Sequence, residues 1–312
     1  MSHGPTQIAS KGFCIYCGRS GLKLTDEHIV PLSLGGAHVI KDASCVDCAR
    51  VTSRFELEVA RNLWGDARIS YGAPSRRKKL RPQNIALNDI AYPGNKITIP
   101  YSEYPAAMIF YLMKGAGVLL GLPEDVDQSG SWQFRAVVDD QKIKAFERKY
   151  PGRLTAKFKH IPDSFGRLIA KIGYGQILCT LDPQDFHPIC VPYILGIKSN
   201  LSHIIGGRWS IPEPTPGIGY ELNTCCAGDN NNILLIAEIR LTANCHTPVY
   251  HAVVGAVTGP DSVAKVLNKL QAPAPTLMAD SATYQPIQDD RFHWQPRVWP
   301  LPIFAELGSV AE

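Results

Sequence analysis

Apolar residues recur at every fourth position from Val51 through Phe55 and Val59 to Leu63, with Arg50, Arg54, Glu58 and Arg61 on other faces. That spacing predicts an amphipathic helix. Just upstream the pattern changes. Leu22, Leu24 and Ile29 predict a short extended segment, Pro31 and Gly35-Gly36 a turn, and "AHVIKDAS" a second extended segment. A hairpin followed by a long helix is therefore expected near the N-terminus.

Beyond residue 85 the periods are mixed. "KITIPY" and "WQFRAVV" predict strands, and "SEYPAAMIFYLMKGAGVLLG" predicts an apolar helix. "DDQKIKAFERKY" predicts a charged helix ending before Pro151, and "RLTAKFKHI" alternates like a strand. Pro162 opens a helix through "DSFGRLIAKIGYGQIL", and Pro260 stands near the start of a last one, "PDSVAKVLNKLQ". Between them, "ILLIAEIRLTA" and "VYHAVVGAVT" predict an antiparallel hairpin across "NCHTP". The fold class expected is α+β. A module over residues 1–75 is followed by a basic linker over 76–90 and a larger mixed domain over 91–312 with antiparallel strands.

The length of 312 residues is enough to bury a sizeable core. No stretch reaches the roughly 18 apolar residues of a membrane span. The opening "MSHGPTQIASKGF" does not read as a secretory signal, so a cytoplasmic protein with no membrane partner is expected. Charge is unevenly placed. Residues 1–85 hold 13 Lys/Arg against 7 Asp/Glu, whereas the remainder is slightly acidic. That asymmetry is what a polyanionic partner would select, and a solvated basic face is the alternative.

Cysteine spacing changes the picture most. Cys14-Ile-Tyr-Cys17 and Cys45-Val-Asp-Cys48 are two C-x2-C pairs separated by 27 residues. Each pair can bend its backbone around one side of an ion and present two thiolates, so a structural Zn²⁺ on these four residues is expected. Knuckle, hairpin and helix is the order of a treble-clef zinc module. The other five of the nine cysteines follow no pairing rule and read as core thiols.

Inside the loop that such an ion would close lies "LTDEHIVPLSLGG", with Glu27 directly before His28. Successive strand side chains face opposite sides, so these two converge on one site only where the backbone is irregular or a loop brings a third group across. The combined pattern "CIYCG…LTDEHIVPLSLGG…ASCVDCA" resembles the HNH endonucleases, the zinc-stapled branch of the ββα-metal nucleases, over roughly residues 12–65. The resemblance implies a hydrolase of nucleic-acid phosphodiesters, DNA before RNA, that uses one divalent cation, Mg²⁺ or Mn²⁺. It puts His28 on the general base, Glu27 on the acidic ligand of the catalytic cation, and the four cysteines on the zinc frame. The chemistry is consistent: neutral imidazole accepts a proton near pH 7, and a hard carboxylate suits Mg²⁺ while thiolates take zinc.

One departure stands out. The family carries Asn or His directly after the fourth cysteine as a further metal ligand, and here that place is Ala49. Ser53 and Glu56, four and seven residues on, share its helix face and are the substitutes expected for the catalytic cation, Glu56 being equally readable as a solvated helix residue. His38 and Asp42 are the polar residues nearest to the family's hairpin asparagine.

Downstream, Arg76, Arg77, Lys78, Lys79 and Arg81 crowd into a Gly/Pro-bounded segment. With Arg50 and Arg54 they are expected to contact nucleic-acid phosphates, although a soluble linker would look the same. "FKHIPDSFGRLIAKIGYG" adds Lys157, Lys159, His160, Arg167 and Lys171, facing either an anion or solvent. The leading reading is a metal-dependent endonuclease. The alternatives are a catalytically inactive zinc-containing nucleic-acid-binding protein, or a bacterial defence nuclease gated by a small-molecule activator on the C-terminal half. Assembly into a homo-oligomer is left open.

Overall fold

The computed structural model describes residues 7–73, 78–88, 92, 94–152 and 158–270, with Lys78, 285–287 and 305–306 described by their backbone alone. The chain begins with β1 (Gln7–Ile8), β2 (Leu24–His28) and β3 (Val39–Cys45), which form a three-stranded sheet in the order β1-β3-β2. Helix α1 (Val46–Glu58) follows at once and runs on through a wider turn at Val59–Leu63 into α2 (Gly65–Ser70). The apolar spacing from Val51 to Leu63 thus marks a helix, with Phe55, Val59 and Leu63 buried.

Two small antiparallel units come next. β4 (Asn84–Asn88) pairs with β5 (Lys96–Pro100), and β6 (Met108–Leu112) pairs with β7 (Gln133–Val138). The apolar helix expected over "AAMIFYL" is therefore a strand. Met108, Ile109, Phe110 and Tyr111 are all buried, so both faces are covered. A continuous apolar run of that kind carries no period to separate strand from helix, and pairing with Phe134 and its neighbours decides.

After β7 come α3 (Asp140–Lys149), α4 (Pro162–Ile177), β8 (His187–Pro188), α5 (Val191–Ile194) and β9 (Ile205–Gly207). The strand expected over residues 153–161 falls partly outside the described residues, and 158–160 are irregular. The long antiparallel strands β10 (Tyr220–Gly228), β11 (Asn232–Leu241) and β12 (Val249–Thr258) make the central sheet, completed by α6 (Pro260–Leu270), β13 (Gln285–Ile287) on β10, and β8 and β9 on β12. β14 (Ala305–Glu306) pairs with β7. Among the described residues no helix is long and apolar enough to cross a membrane.

Helix α4 positions the functional region. Every residue from Leu168 to Ile177 is buried, as a helix with apolar residues on all faces requires. One side lies on the central sheet so closely that a Cβ on Gly173 would stand 2.8 Å from Ala252 Cβ and 3.0 Å from Ala237 Cβ. The other side meets the N-terminal hairpin, where Tyr174 Oη donates to the Ile15 carbonyl at 2.7 Å. Trp64, buried after α1, donates from Nε1 to the Ile109 carbonyl at 2.6 Å and stacks edge-on against Phe165. A continuous core therefore crosses the boundary expected near residues 76–90.

Candidate active site and zinc centre

The sulfur frame is built first, by local geometry. Gly18 at φ +71° turns the chain so that its N–H reaches the Cys14 carbonyl at 2.8 Å. The backbone N–H of Cys45 donates to Cys14 Sγ at 3.4 Å, bringing the second pair onto the first. The ligand atoms of Cys14, Cys17, Cys45 and Cys48 all lie within 4.8 Å of one another, and these four could hold a metal such as zinc. Burial pushes the Cys14 and Cys48 thiols up. Burial acts the same way on Cys17, but hydrogen bonding from Arg19 overrides it and draws that thiol down to about 6. A bound Zn²⁺ would hold all four as thiolates and cross-link the hairpin to the start of α1.

The hairpin is irregular between Thr25 and Glu27, ahead of the pair itself: Glu27 and His28 stand in regular register with Ile40 and Val39. Opposite Thr25 to Glu27 on β2, the partner strand runs from Ser44 to Ile40, and Asp42 sits in the resulting bulge at φ +44°. Asp26 braces the bulge by pairing with Lys41 and accepting from the Asp42 N–H. The strand ends at His28, and Gly36 then passes so close to Val30 that a Cβ there would collide with the Val30 carbonyl.

Glu27 and His28 line one open cleft of about 640 Å³. The opposite wall is α1, which presents Ala49, Ser53, Glu56 and Ala60 at helical spacing, with Arg61 and Arg68 at the end. His28 is half-buried and Glu27 is 8 % exposed. Two of the ligands expected for a hard cation are thus on the same cleft, but they already hold a cation. Lys171 of α4, only 1 % exposed, places Nζ 2.7 Å from Glu27 Oε1 and 2.7 Å from Glu56 Oε1, and donates to the His28 carbonyl. The ammonium thus pairs with both carboxylates and donates to the His28 carbonyl, with the Ile29 carbonyl at 3.5 Å. Tyr16 bonds the Glu27 carboxylate as well.

The electrostatics follow from that packing. Burial pushes the Lys171 ammonium down, but Glu27 and Glu56 outweigh it and hold it above its ordinary value. Burial raises the Glu27 carboxyl, partly offset by Lys171. A divalent ion sharing Glu27 and Glu56 would stand beside the ammonium, and each pair of like unit charges at roughly 4 Å repels by about 4 kcal/mol at an effective dielectric near 20. Ser53 lines the cleft and donates its hydroxyl hydrogen to the Ala49 carbonyl, which leaves only neutral oxygen lone pairs toward an ion. These residues, as arranged, do not fit a divalent cation bridging Glu27 and Glu56.

Other expected residues lie elsewhere. His38 is buried with its ring edge-on to Tyr220, and neither it nor Asp42 lines the cleft. Arg50 is exposed and pairs with Asp47, while Arg54 lines a separate groove between α1 and α4 with Glu58, Asp163 and Arg167. Lys79 is exposed and Arg81 half-buried. Arg76, Arg77 and Lys157 lie outside the described residues, as does the side chain of Lys78. Lys171, read as part of a basic face, is instead interior. Arg68 had no role in the sequence reading. It donates to the Ser33 and Ala60 carbonyls at 3.1 and 3.0 Å, and burial, with Arg81 nearby, lowers it to about 10.

A family model described as HNH endonuclease matches residues 14–63, the segment that carries the four cysteines, Glu27, His28 and Glu56. No curated protein and no solved structure matches the chain.

Proposed function

We propose that this protein hydrolyses nucleic-acid phosphodiesters at the cleft between β2 and α1, DNA being the first substrate to test, with His28 as general base. One observation carries the reading: within the segment matched as HNH endonuclease, Glu27 and His28, adjacent at the end of β2, line the same open cleft. In this reaction the His28 imidazole takes a proton from water, the hydroxide formed attacks phosphorus, and the bond from phosphorus to the leaving ester oxygen breaks, that oxygen taking up a proton from solvent. Arg61 and Arg68 on the cleft meet the phosphate oxygens, and Lys79 and Arg81 hold the flanking backbone. The four cysteines with Zn²⁺ keep the hairpin registered on α1.

A second reading, a zinc-containing protein that binds nucleic acid without cutting it, is favoured by Ala49 and by the Lys171 ammonium on Glu27 and Glu56. Plasmid nicking separates the two. Zinc-replete protein is incubated with supercoiled DNA in Mg²⁺, in Mn²⁺ and with neither. Nicking by wild type that falls roughly 10²–10⁴-fold in His28→Ala, with zinc content and thermal midpoint unchanged, is the expected result. Saturable binding by wild type with no nicking in any of the three conditions establishes the binder instead.

A further inference from the structure

The C-terminal half of the chain places one side chain inside the N-terminal module. Lys171 reaches from α4 to Glu27 and Glu56, which flank the cleft from β2 and α1. We infer that the Lys171 ammonium stands in for a divalent cation between these carboxylates, so that the C-terminal half completes the site with a cation built into the fold. The inference rests on the nuclease reading only in taking this cleft as the reactive one.

The geometry carries it in three steps. The ammonium is surrounded by oxygen from two carboxylates and the His28 carbonyl, the donor set a hard cation prefers. It also fixes the end of β2 through that carbonyl, which makes Lys171 a positioning residue for His28. Second, the helix cannot carry it away: α4 is buried from Leu168 to Ile177, wedged between the central sheet at Gly173 and the hairpin at Tyr174. Third, beside Glu56 the α1 wall adds no further charged ligand, with a methyl group at Ala49 and a neutral Ser53 hydroxyl that donates to the Ala49 carbonyl. A site so arranged already holds a positive charge between its two carboxylates, and it fails to assemble unless α4 docks.

The test titrates Mn²⁺ into zinc-loaded, full-length protein and follows free Mn²⁺ by electron paramagnetic resonance. Wild type is expected to take up no Mn²⁺ at this site, and its thermal midpoint not to move. Lys171→Ala frees both carboxylates and is expected to gain about one Mn²⁺ per chain, with a midpoint that rises on adding the ion. If that variant folds only in Mn²⁺, its refolding is the same positive result. Uptake of Mn²⁺ by wild type that Glu27→Gln abolishes overturns the inference, and so does a folded Lys171→Ala that takes up none. Should Lys171→Ala stay unfolded in both conditions, the wild-type titration decides alone. DNA cleavage plays no part in these readouts, so a protein that nicks nothing can still bear out Lys171, and one that nicks can still refute it.

Discussion

Two clusters of like charge in the same module would be relieved by different routes. The four thiols come from one stretch, Cys14 to Cys48, and converge to within 4.8 Å, where as thiolates they repel until an ion sits among them. Glu27 and Glu56 also converge from β2 and α1, yet their cation arrives on the chain, from Lys171 in α4. An ion from solution serves a site that is local in sequence. A lysine serves one only when the rest of the protein has folded around it. The sulfur frame draws its ligands from one continuous stretch, whereas the carboxylate pair receives its cation from α4.

The largest effect should come from breaking the sulfur frame. Structural zinc in small peptides contributes an apparent 10–16 kcal/mol, roughly, so Cys45→Ser is expected to lose the ion and unfold the hairpin and the start of α1. Zinc content by mass spectrometry and amide exchange over 14–63 measure it, and a variant with wild-type exchange would break the comparison at its first term.

The carboxylate pair should come next. Lys171→Ala leaves buried Glu27 and half-buried Glu56 without their partner, and removing one member of a buried pair costs about 3–5 kcal/mol. Replacing all three groups by uncharged residues of similar shape, Lys171→Met with Glu27→Gln and Glu56→Gln, should restore most of that in urea unfolding, because burying the ions is itself unfavourable. Equal losses in the single and triple variants would mean that the ionic contacts themselves, which no uncharged set of similar shape replaces, hold α4 on the hairpin.

The same contrast explains what was legible in the sequence. Spacing alone found the cysteine frame, the hairpin, α1, and the long strands β11 and β12, because each is encoded within a few residues of itself. Glu27, His28, Ser53 and Glu56 were readable as neighbours on a strand and a helix face. The partner of the acids was not, since Lys171 lies 115 residues beyond Glu56 and sequence spacing does not measure distance in space. A signal did exist. Lys171 stands in "LIAKIGYG" with apolar residues on every side, and a lysine that cannot reach water must find carboxylates. The strand at Met108–Leu112 was missed for the opposite reason: a run buried on both faces has no period to read.

Docking of α4 gives a smaller, purely steric test. Gly173 has no room for a side chain, with Ala252 and Ala237 methyls 2.8 and 3.0 Å from the place of its Cβ. Gly173→Val should push α4 off the sheet and cost about 1–3 kcal/mol in urea unfolding. If the displaced helix also withdraws Lys171, that variant acquires Mn²⁺ uptake without any change to the cluster itself, which would tie the site to the sheet behind it.

The smallest effect belongs to the rim of the same interface, where charge is exposed rather than enclosed. Glu58 at the end of α1 accepts from Ser164 Oγ at 2.6 Å and pairs with Lys159 at 3.2 Å, with about a third of its side chain in water. The Ser164 hydrogen bond and the Lys159 charge hold its carboxyl below its ordinary value, against a smaller burial effect. Its contribution is therefore present above the unfolded value, near pH 4.3, and is lost as pH falls through the lower folded one. Glu27 runs the other way: burial raises it, so its protonation favours the folded state as pH falls. Glu58→Gln should cost under about 1 kcal/mol near neutrality, and the difference from wild type should close in acid. A difference that instead persists unchanged through that range would assign the contact to the shape of the side chain, and would leave Lys171 as the ionic tie between α4 and α1.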